Sequence, residues 1–290
     1  MKIETSHSVI NHPTSFQARV ASFWDNTSLV WNEIWGPHIH HGYYSDEKIT
    51  LSPQENLLEK LIKQLNIFPQ QKWLDVGCGM GETAIYLSKH FPLHITGINL
   101  SEKQLEIARL RAKEEQLDYV VFKKEDALSL QSFHDETFDI VWSLESCEQF
   151  LDKEQFIKQC HRVLKPGGKL LLATWCSEKE SYEGKMAKDY LALCQTYCVP
   201  YMPTMEYYSQ RLALYFDVLF KEDWSIYIKP SWAAGLSKLS QYSYFDLLKF
   251  CRIKDLPLIW KVNLMADAFQ HGHIRYGVFV AQKKPFQTNI

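Results

Sequence analysis

From residue 72 to about 175, short apolar runs alternate with amphipathic segments. KWLDVG, LHITGINL, YVVFKKED, FDIVWSLE and KLLLATW are brief and rich in β-branched or aromatic residues, as buried strands are. Between the first runs, Glu82 to Lys89 has helical character. Ser101 is then placed to cap a helix over Glu102 to Glu115, with Leu105, Ala108 and Ala112 on one face. Lys153 to Leu164 is amphipathic and stops at Lys165-Pro166-Gly167-Gly168, where a turn follows. Strands that alternate with helices pair in parallel through right-handed crossovers, which predicts a three-layer α/β sandwich.

Two flanks surround this core. Residues 1–55 hold a helix rich in Phe and Trp, followed by the run WGPHIHHGYY at 35–44. Residues 176–273 are expected to be helical and aromatic, with prolines at 200, 203, 230 and 257. Ile274 to Lys283 alternates like a strand and is placed to return to the sheet. The expected organisation is a helical lid segment at 1–55, a ligand-binding core at 56–175, and a helical cap with the closing strands of the sheet at 176–290, both flanks covering the core.

Composition narrows the chemistry. The 290 residues carry a formal net charge of −2, with 46% hydrophobic and 23% charged residues, a soluble globular profile. Nucleic acid and anionic membranes attract strongly basic surfaces, so neither is expected as a main partner. The seven cysteines are odd in number and scattered, which fits a reducing compartment rather than a disulfide framework. Cys194 and Cys198 have no second pair to complete a metal site and read as buried thiols. The stretch from Met1 to Thr14 is polar, no run approaches a membrane span, and a cytoplasmic protein is expected.

The candidate chemistry starts at WLDVGCGMG, residues 73–81. A phosphate-cradling loop needs Gly-Lys-Ser/Thr at its end, but Gly81 is followed by Glu82 and Thr83. A dinucleotide loop needs a glycine where Glu82 stands. A slipped nicotinamide site and a turn without a ligand stay open as alternatives. The loop of Gly77, Cys78 and Gly79 lies at the carboxyl edge of the first strand, where such sheets bind ligands. Its acid, Asp75, suits an ammonium group better than a phosphate. A ligand with an amino acid and a nucleoside but no phosphate fits, and S-adenosylmethionine is such a ligand. Asp126, before Ala127, closes the third strand where a carboxylate can accept from an adenine amino group. Asn99 and Leu100 end the second strand, where Asn99 shares ribose binding with Gln104.

LDVGCGMG, TGINLSEKQ, EDALSL, FDIVWSLESCEQ and VLKPGGKLLLATW together resemble the class I S-adenosylmethionine-dependent methyltransferases. IWGPHIHHGYY, SLESCEQFLDK and TWC are similar to a narrower group, the gamma-tocopherol methyltransferases with plant alkaloid N-methyltransferases and bacterial natural-product methyltransferases. The likeness continues through DWS, Pro230-Ser231-Trp232 and Lys283-Lys284-Pro285. It implies a Rossmann-like sheet, mostly parallel with an antiparallel final strand. It also implies Tyr44 at the methionine end of the cofactor, Leu144 along its floor, and methyl transfer to carbon, nitrogen or oxygen of a hydrophobic, aromatic or prenylated small molecule. Tocopherol methyltransferases read Glu-Ser-Gly-Glu-His after the fourth strand, whereas this chain has Glu145-Ser146-Cys147-Glu148-Gln149. The histidine that serves as base in related O-methyltransferases is therefore replaced. HGYY and GINLSEKQ also resemble fatty-acyl cyclopropane synthases, and a cofactor-binding protein without catalysis is a further alternative.

Methyl transfer from a sulfonium needs alignment and desolvation, and a base where the acceptor sheds a proton. The candidates are Glu148, Glu145, His38, His40 and His41, with Glu148 preferred because it lies just beyond the fourth strand. In an extended run His38 and His40 face together, while His40 and His41 project differently, so that only one of those two faces the acceptor. The histidines can instead pin the lid by hydrogen bonds. No metal is expected, since H-x-H-H lacks accompanying ligands. Trp31, Trp35, Trp175 and Trp224 are expected to shape an apolar acceptor pocket, Trp175 foremost because it ends the fifth strand.

Overall fold

The computed structural model describes residues 1–10, 15–45, 50–250 and 261–284. Pro257 and Pro285 lie outside the described residues. Strand β1 is Lys2–Glu4, and helix α1, Phe16–Trp35, is the aromatic helix of the amino-terminal flank. Helix α2, Pro53–Ile62, starts at a capping box in which Ser52 and Glu55 satisfy each other's backbone N–H groups. The alternating core follows: β2 (Lys72–Val76), α3 (Glu82–His90), β3 (His94–Asn99), α4 (Glu102–Glu114), β4 (Val120–Lys124), β5 (Phe138–Leu144), α5 (Lys153–Val163) and β6 (Leu164–Ser177). Ser101 caps α4 through its side chain, accepting from the Gln104 N–H at 3.1 Å. The remaining elements are β7 (Ser181–Glu183), α6 (Gly184–Thr196), α7 (Met205–Ala213), β8 (Phe216–Asp223), α8 (Ser225–Ile228), α9 (Pro230–Leu239), α10 (Tyr244–Leu247), α11 (Val262–Gln270) and β9 (Ile274–Lys283).

Seven strands form one sheet in the order β4-β3-β2-β5-β6-β9-β8. Strands β2 to β6 pair in parallel, and β9 runs antiparallel to both its neighbours. Because the central strands are covered on both sides, they are apolar without alternation, as in Lys72–Val76, where every residue after Lys72 is buried. On one face Leu57, Leu87 and Leu105 pack against Trp73 and Ile95. On the other, Phe156, Ile157 and Tyr208 pack against Leu74, Val141 and Phe279. This is the Rossmann-like, doubly covered α/β sheet expected from the alternation.

Two expectations are corrected and one sheet is added. The segment 176–273 is not wholly helical: β8 lies within it and forms the sheet edge. Its Phe216, Val218 and Phe220 alternate with more exposed Asp217, Leu219 and Lys221, a period of two spread over a charged stretch. The fifth strand starts at Leu164 rather than Lys169, since the chain passes straight from α5 into pairing with Phe138 and bulges before Ile140. A separate two-stranded sheet joins β1 to β7 and fastens the amino terminus to the cap.

Candidate functional site

The glycines of the first loop are there for two reasons. Gly77 has φ +77°, and a Cβ on it would come within 2.3 Å of the Ser146 Cβ, so the loop passes hard against the end of β5. Ser146 holds that junction by donating to the Val76 carbonyl at 2.6 Å. Gly79 has φ +54°, yet an added Cβ would meet nothing within 4 Å. Its open side belongs to a cleft at the carboxyl edge of the sheet that encloses about 1070 Å³ of empty space, its solvent-open mouth included.

Asp75, Gly77, Cys78, Gly79, Asn99, Leu100, Gln104, Asp126, Ala127 and Leu144 all line that cavity, as does His38. Asp75 is buried, its Oδ2 has no hydrogen-bond partner, and burial pushes its carboxyl up to about 7. Asn99 donates to Gln104 Oε1 at 2.7 Å and accepts from the Leu100 N–H at 2.8 Å, so the two residues expected to share a task are tied together. Asp126 accepts from the Leu128 N–H at 2.9 Å and from Gln17 of α1 at 2.6 Å, which lays the amino-terminal helix across the cavity mouth. Among the described residues the lining includes Asp75, Glu82, Glu125, Asp126 and Glu145 but neither lysine nor arginine. A pyrophosphate would find no cation there, whereas a cationic ligand finds an unpartnered buried carboxyl.

A second cavity, with about 570 Å³ of empty space counting its solvent-open part, adjoins the first. Trp24, Ile39, His40, Glu145 and Gln149 line both. Trp31, Trp35 and Trp175 line the second, together with His41 and Glu148. The rings interlock edge to face, Trp31 on Trp35 at 5.4 Å and Trp35 on Trp232 at 5.2 Å between centroids. Gln149 links the cavity junction to the flanks, accepting from the Trp24 indole at 2.6 Å and donating to the Tyr197 carbonyl at 2.8 Å.

The ionisable groups here fall into two arrangements. Glu145 ends β5 with φ +49°, a left-handed conformation that costs a non-glycine residue about 1–3 kcal/mol. Its Oε2 meets His41 Nδ1 at 2.7 Å, and its Oε1 accepts from the His41 N–H at 2.9 Å and the Tyr276 hydroxyl at 2.8 Å. Burial alone would raise this carboxyl, but the charge and hydrogen bonds of His41, with His40 adding to them, outweigh it and hold Glu145 below the usual carboxylate range. The other ring nitrogen of His41, Nε2, is buried and has no hydrogen-bond partner. Glu148 differs. Its Oε1 accepts from the Trp175 N–H at 2.8 Å, its Oε2 is buried without a partner, and burial, then the Glu145 charge, pushes it up to about 7.

His38 and His40 do face together, their rings 5.2 Å apart. Burial lowers both, His38 to about 3, so they are neutral. His40 and His41 both line the second cavity. Tyr44 and Trp224 lie outside both cavities. Tyr44 is drawn away because its N–H bonds the Tyr227 carbonyl at 2.9 Å and its hydroxyl reaches Ser231. Trp224 spends its indole N–H on Glu222 at 2.8 Å and packs edge-on against Tyr43. Trp232, Tyr197 and Tyr276 were missed; for Trp232 the Pro-x-Trp run was the available signal. Among the described residues no cluster of three or more His, Cys, Asp or Glu is arranged to hold a metal ion, and no helix is long and apolar enough to cross a membrane.

A sheet of this order with an acid-lined glycine loop at its carboxyl edge defines the methyltransferase class of α/β fold. A methyltransferase-domain family model matches residues 74–172. Tocopherol O-methyltransferase of Arabidopsis thaliana is 30% identical over 284 residues, 91% of this chain and 81% of the relative. The 27-O-demethylrifamycin SV methyltransferase of Amycolatopsis mediterranei is 42% identical over 143 residues, 49% of this chain and 52% of that protein. The cyclopropane synthase MmaA2 of Mycobacterium tuberculosis superposes with a TM-score of 0.81 at 18% identity, covering 92% of this chain and 98% of that one, a likeness of fold alone. The chain belongs to the class I S-adenosylmethionine-dependent methyltransferases, in the tocopherol-methyltransferase-like subgroup. It is thus a methyltransferase whose methyl donor is S-adenosylmethionine.

Proposed function

We propose that the chain transfers a methyl group from S-adenosylmethionine to a hydrophobic, aromatic or prenylated small molecule held in the second cavity. The carrying observation is the shared wall: an acid-lined cavity without cations meets an aromatic cavity at His40, Glu145 and Gln149. The names of the curated relatives, which act on tocopherol and a demethylrifamycin, support an acceptor of this kind. When bound, the donor supplies an electrophilic methyl on sulfonium. The residues present fit it: Gly77 to Gly79 would leave room for its amino-acid end, Asp75 would offer its unpartnered carboxyl, Asn99 and Gln104 would hold the ribose, and Asp126 would meet the adenine.

The chain's own work is then alignment, exclusion of water and removal of a proton. Rings from Trp31, Trp35 and Trp175 hold the acceptor's apolar body against the shared wall and keep solvent out. Glu148 takes the proton at Oε2, because Oε1 is committed to the Trp175 N–H and a carboxyl near 7 is matched to neutral operation. Glu145 fixes His41 rather than acting as base, since its oxygens already accept from three donors.

In this reading residues 1–55 serve as the lid and 176–290 as the cap, each lending rings to the acceptor cavity. The six described cysteines are free and buried, which supports the reducing, cytoplasmic setting. The test is formation of S-adenosylhomocysteine from the donor with pooled phenolic, prenylated and amine acceptors. Acceptor-dependent product is expected; binding of the donor with no turnover on any acceptor would overturn the enzymatic reading.

A further inference from the structure

Lys153, at the first position of α5, is fully buried, an unusual place for an ammonium group. Its Nζ donates to the carbonyl of Glu148 at 3.0 Å and to that of Phe150 at 2.8 Å. The same nitrogen sits 3.8 Å from the centroid of Tyr201, and the Tyr201 hydroxyl accepts from the Lys153 N–H at 3.3 Å. No carboxylate forms an ion pair with it among the described residues; two backbone carbonyls and a ring face satisfy it instead. Both carbonyls belong to the short 3₁₀ turn Cys147–Gln149 and the residue that ends it. That turn carries Glu148, whose carboxyl faces the acceptor cavity, and Gln149, which sits in the wall between the cavities.

A turn of three residues has little rigidity of its own. Without the ammonium, two buried carbonyls would lose their donor and the backbone under Glu148 would be free to relax. A buried side chain that costs desolvation and leaves no ion pair behind earns its place by holding something else still.

We propose that Lys153 is a positioning residue for Glu148, clasping the turn beneath it and setting the field in which its carboxyl ionises. The proposal rests on Glu148 as proton acceptor. The titratable groups that act on Glu148 are Glu145, Cys147, Lys153, Cys176, Tyr208 and Tyr276. Lys153 is the cation of that set, so it favours the ionised carboxylate against the push of burial and of Glu145. Removing its charge must therefore raise the pH at which Glu148 becomes a base.

The test compares Lys153→Met and Lys153→Gln with the unaltered protein, reading kcat against pH with whichever acceptor gives turnover, and donor affinity by calorimetry. Both variants are expected to bind the donor as before, to lose at least about tenfold in kcat at neutral pH, and to show the acid limb moved upward by roughly 1 pH unit. Lys153→Gln, which can still donate to one carbonyl, is expected to lose less rate than Lys153→Met with the same displacement of the limb. An acid limb that stays in place, or failure of both variants to fold, would overturn the proposal and leave Lys153 a structural residue. Full turnover by Glu148→Gln would instead overturn the assignment of the base itself, so the two failures are distinguishable.

Discussion

The two cavities were assembled in different ways. The first cavity, proposed for the donor, draws most of its lining from one continuous stretch, Asp75 to Leu151, at the carboxyl ends of adjacent parallel strands. The second, proposed for the acceptor, takes Trp31 and Trp35 from α1, Glu145 and Glu148 from the residues just after β5, Trp175 from β6, Tyr197 from beyond α6 and Trp232 from α9. The first sets several acidic side chains among apolar ones and is shaped by backbone conformation at a few glycines. The second is a nest of rings whose shape depends on how distant helices pack. The lesson is that donor binding should respond to single residues sharply, whereas acceptor selection should respond to many residues weakly.

The largest expected effect tests the donor side. Asp75→Ala should abolish donor binding in a calorimetric titration while the circular dichroism of the fold is retained; near-native affinity would remove the carboxyl from the donor site. Next comes the acceptor side's one sharp residue. Glu148→Gln should lower kcat about 10²- to 10⁴-fold with donor affinity unchanged. In the unaltered protein kcat/KM should fall as pH drops below about 7, where burial keeps Glu148 protonated.

A smaller effect is expected at the join between the two. His41→Ala leaves the buried Glu145 carboxylate without its ring hydrogen-bond partner, which should cost about 1–3 kcal/mol in denaturant unfolding. The sign of its pH dependence follows from Glu145 lying below its ordinary value in the fold. That contribution is present above the ordinary carboxylate range and is lost as pH falls through the lowered value, so His41→Ala should flatten the acid limb of the stability curve. Smallest of all, Gln17→Ala removes one hydrogen bond across the donor mouth, about 1 kcal/mol, and should speed donor exchange severalfold in stopped flow.

The same contrast explains what could be read from the sequence. Strand runs and the glycine loop are local, so β2 to β5 and the body of β6 lie where the sequence placed them, and every residue proposed for the donor except Tyr44 lines the first cavity. Tyr44 was assigned by likeness alone, and its backbone bond to Tyr227 turns it elsewhere. For the acceptor side, Trp31, Trp35 and Trp175 were legible because they flank local motifs, while Trp224 was not separable from Trp232. Which tryptophan reaches the cavity depends on how α8 and α9 follow β8, a strand hidden by its charged residues. The tie from His41 to Glu145 spans 104 residues, and no spacing rule reports such a pair. Lys153 was visible only as the first residue of a helix, because its burial is decided by Tyr201 and the turn before it.

The central claim is that the acid-lined cavity holds a sulfonium nucleoside with its reactive end turned to the shared wall. A crystal soaked with S-adenosylhomocysteine tests it most directly. The account predicts density with the amino-acid end at Gly77 to Gly79 near Asp75, the adenine at Asp126 and the sulfur toward His40 and Glu145. Density for the product lying elsewhere, or none in that cavity at saturating concentration, would contradict it.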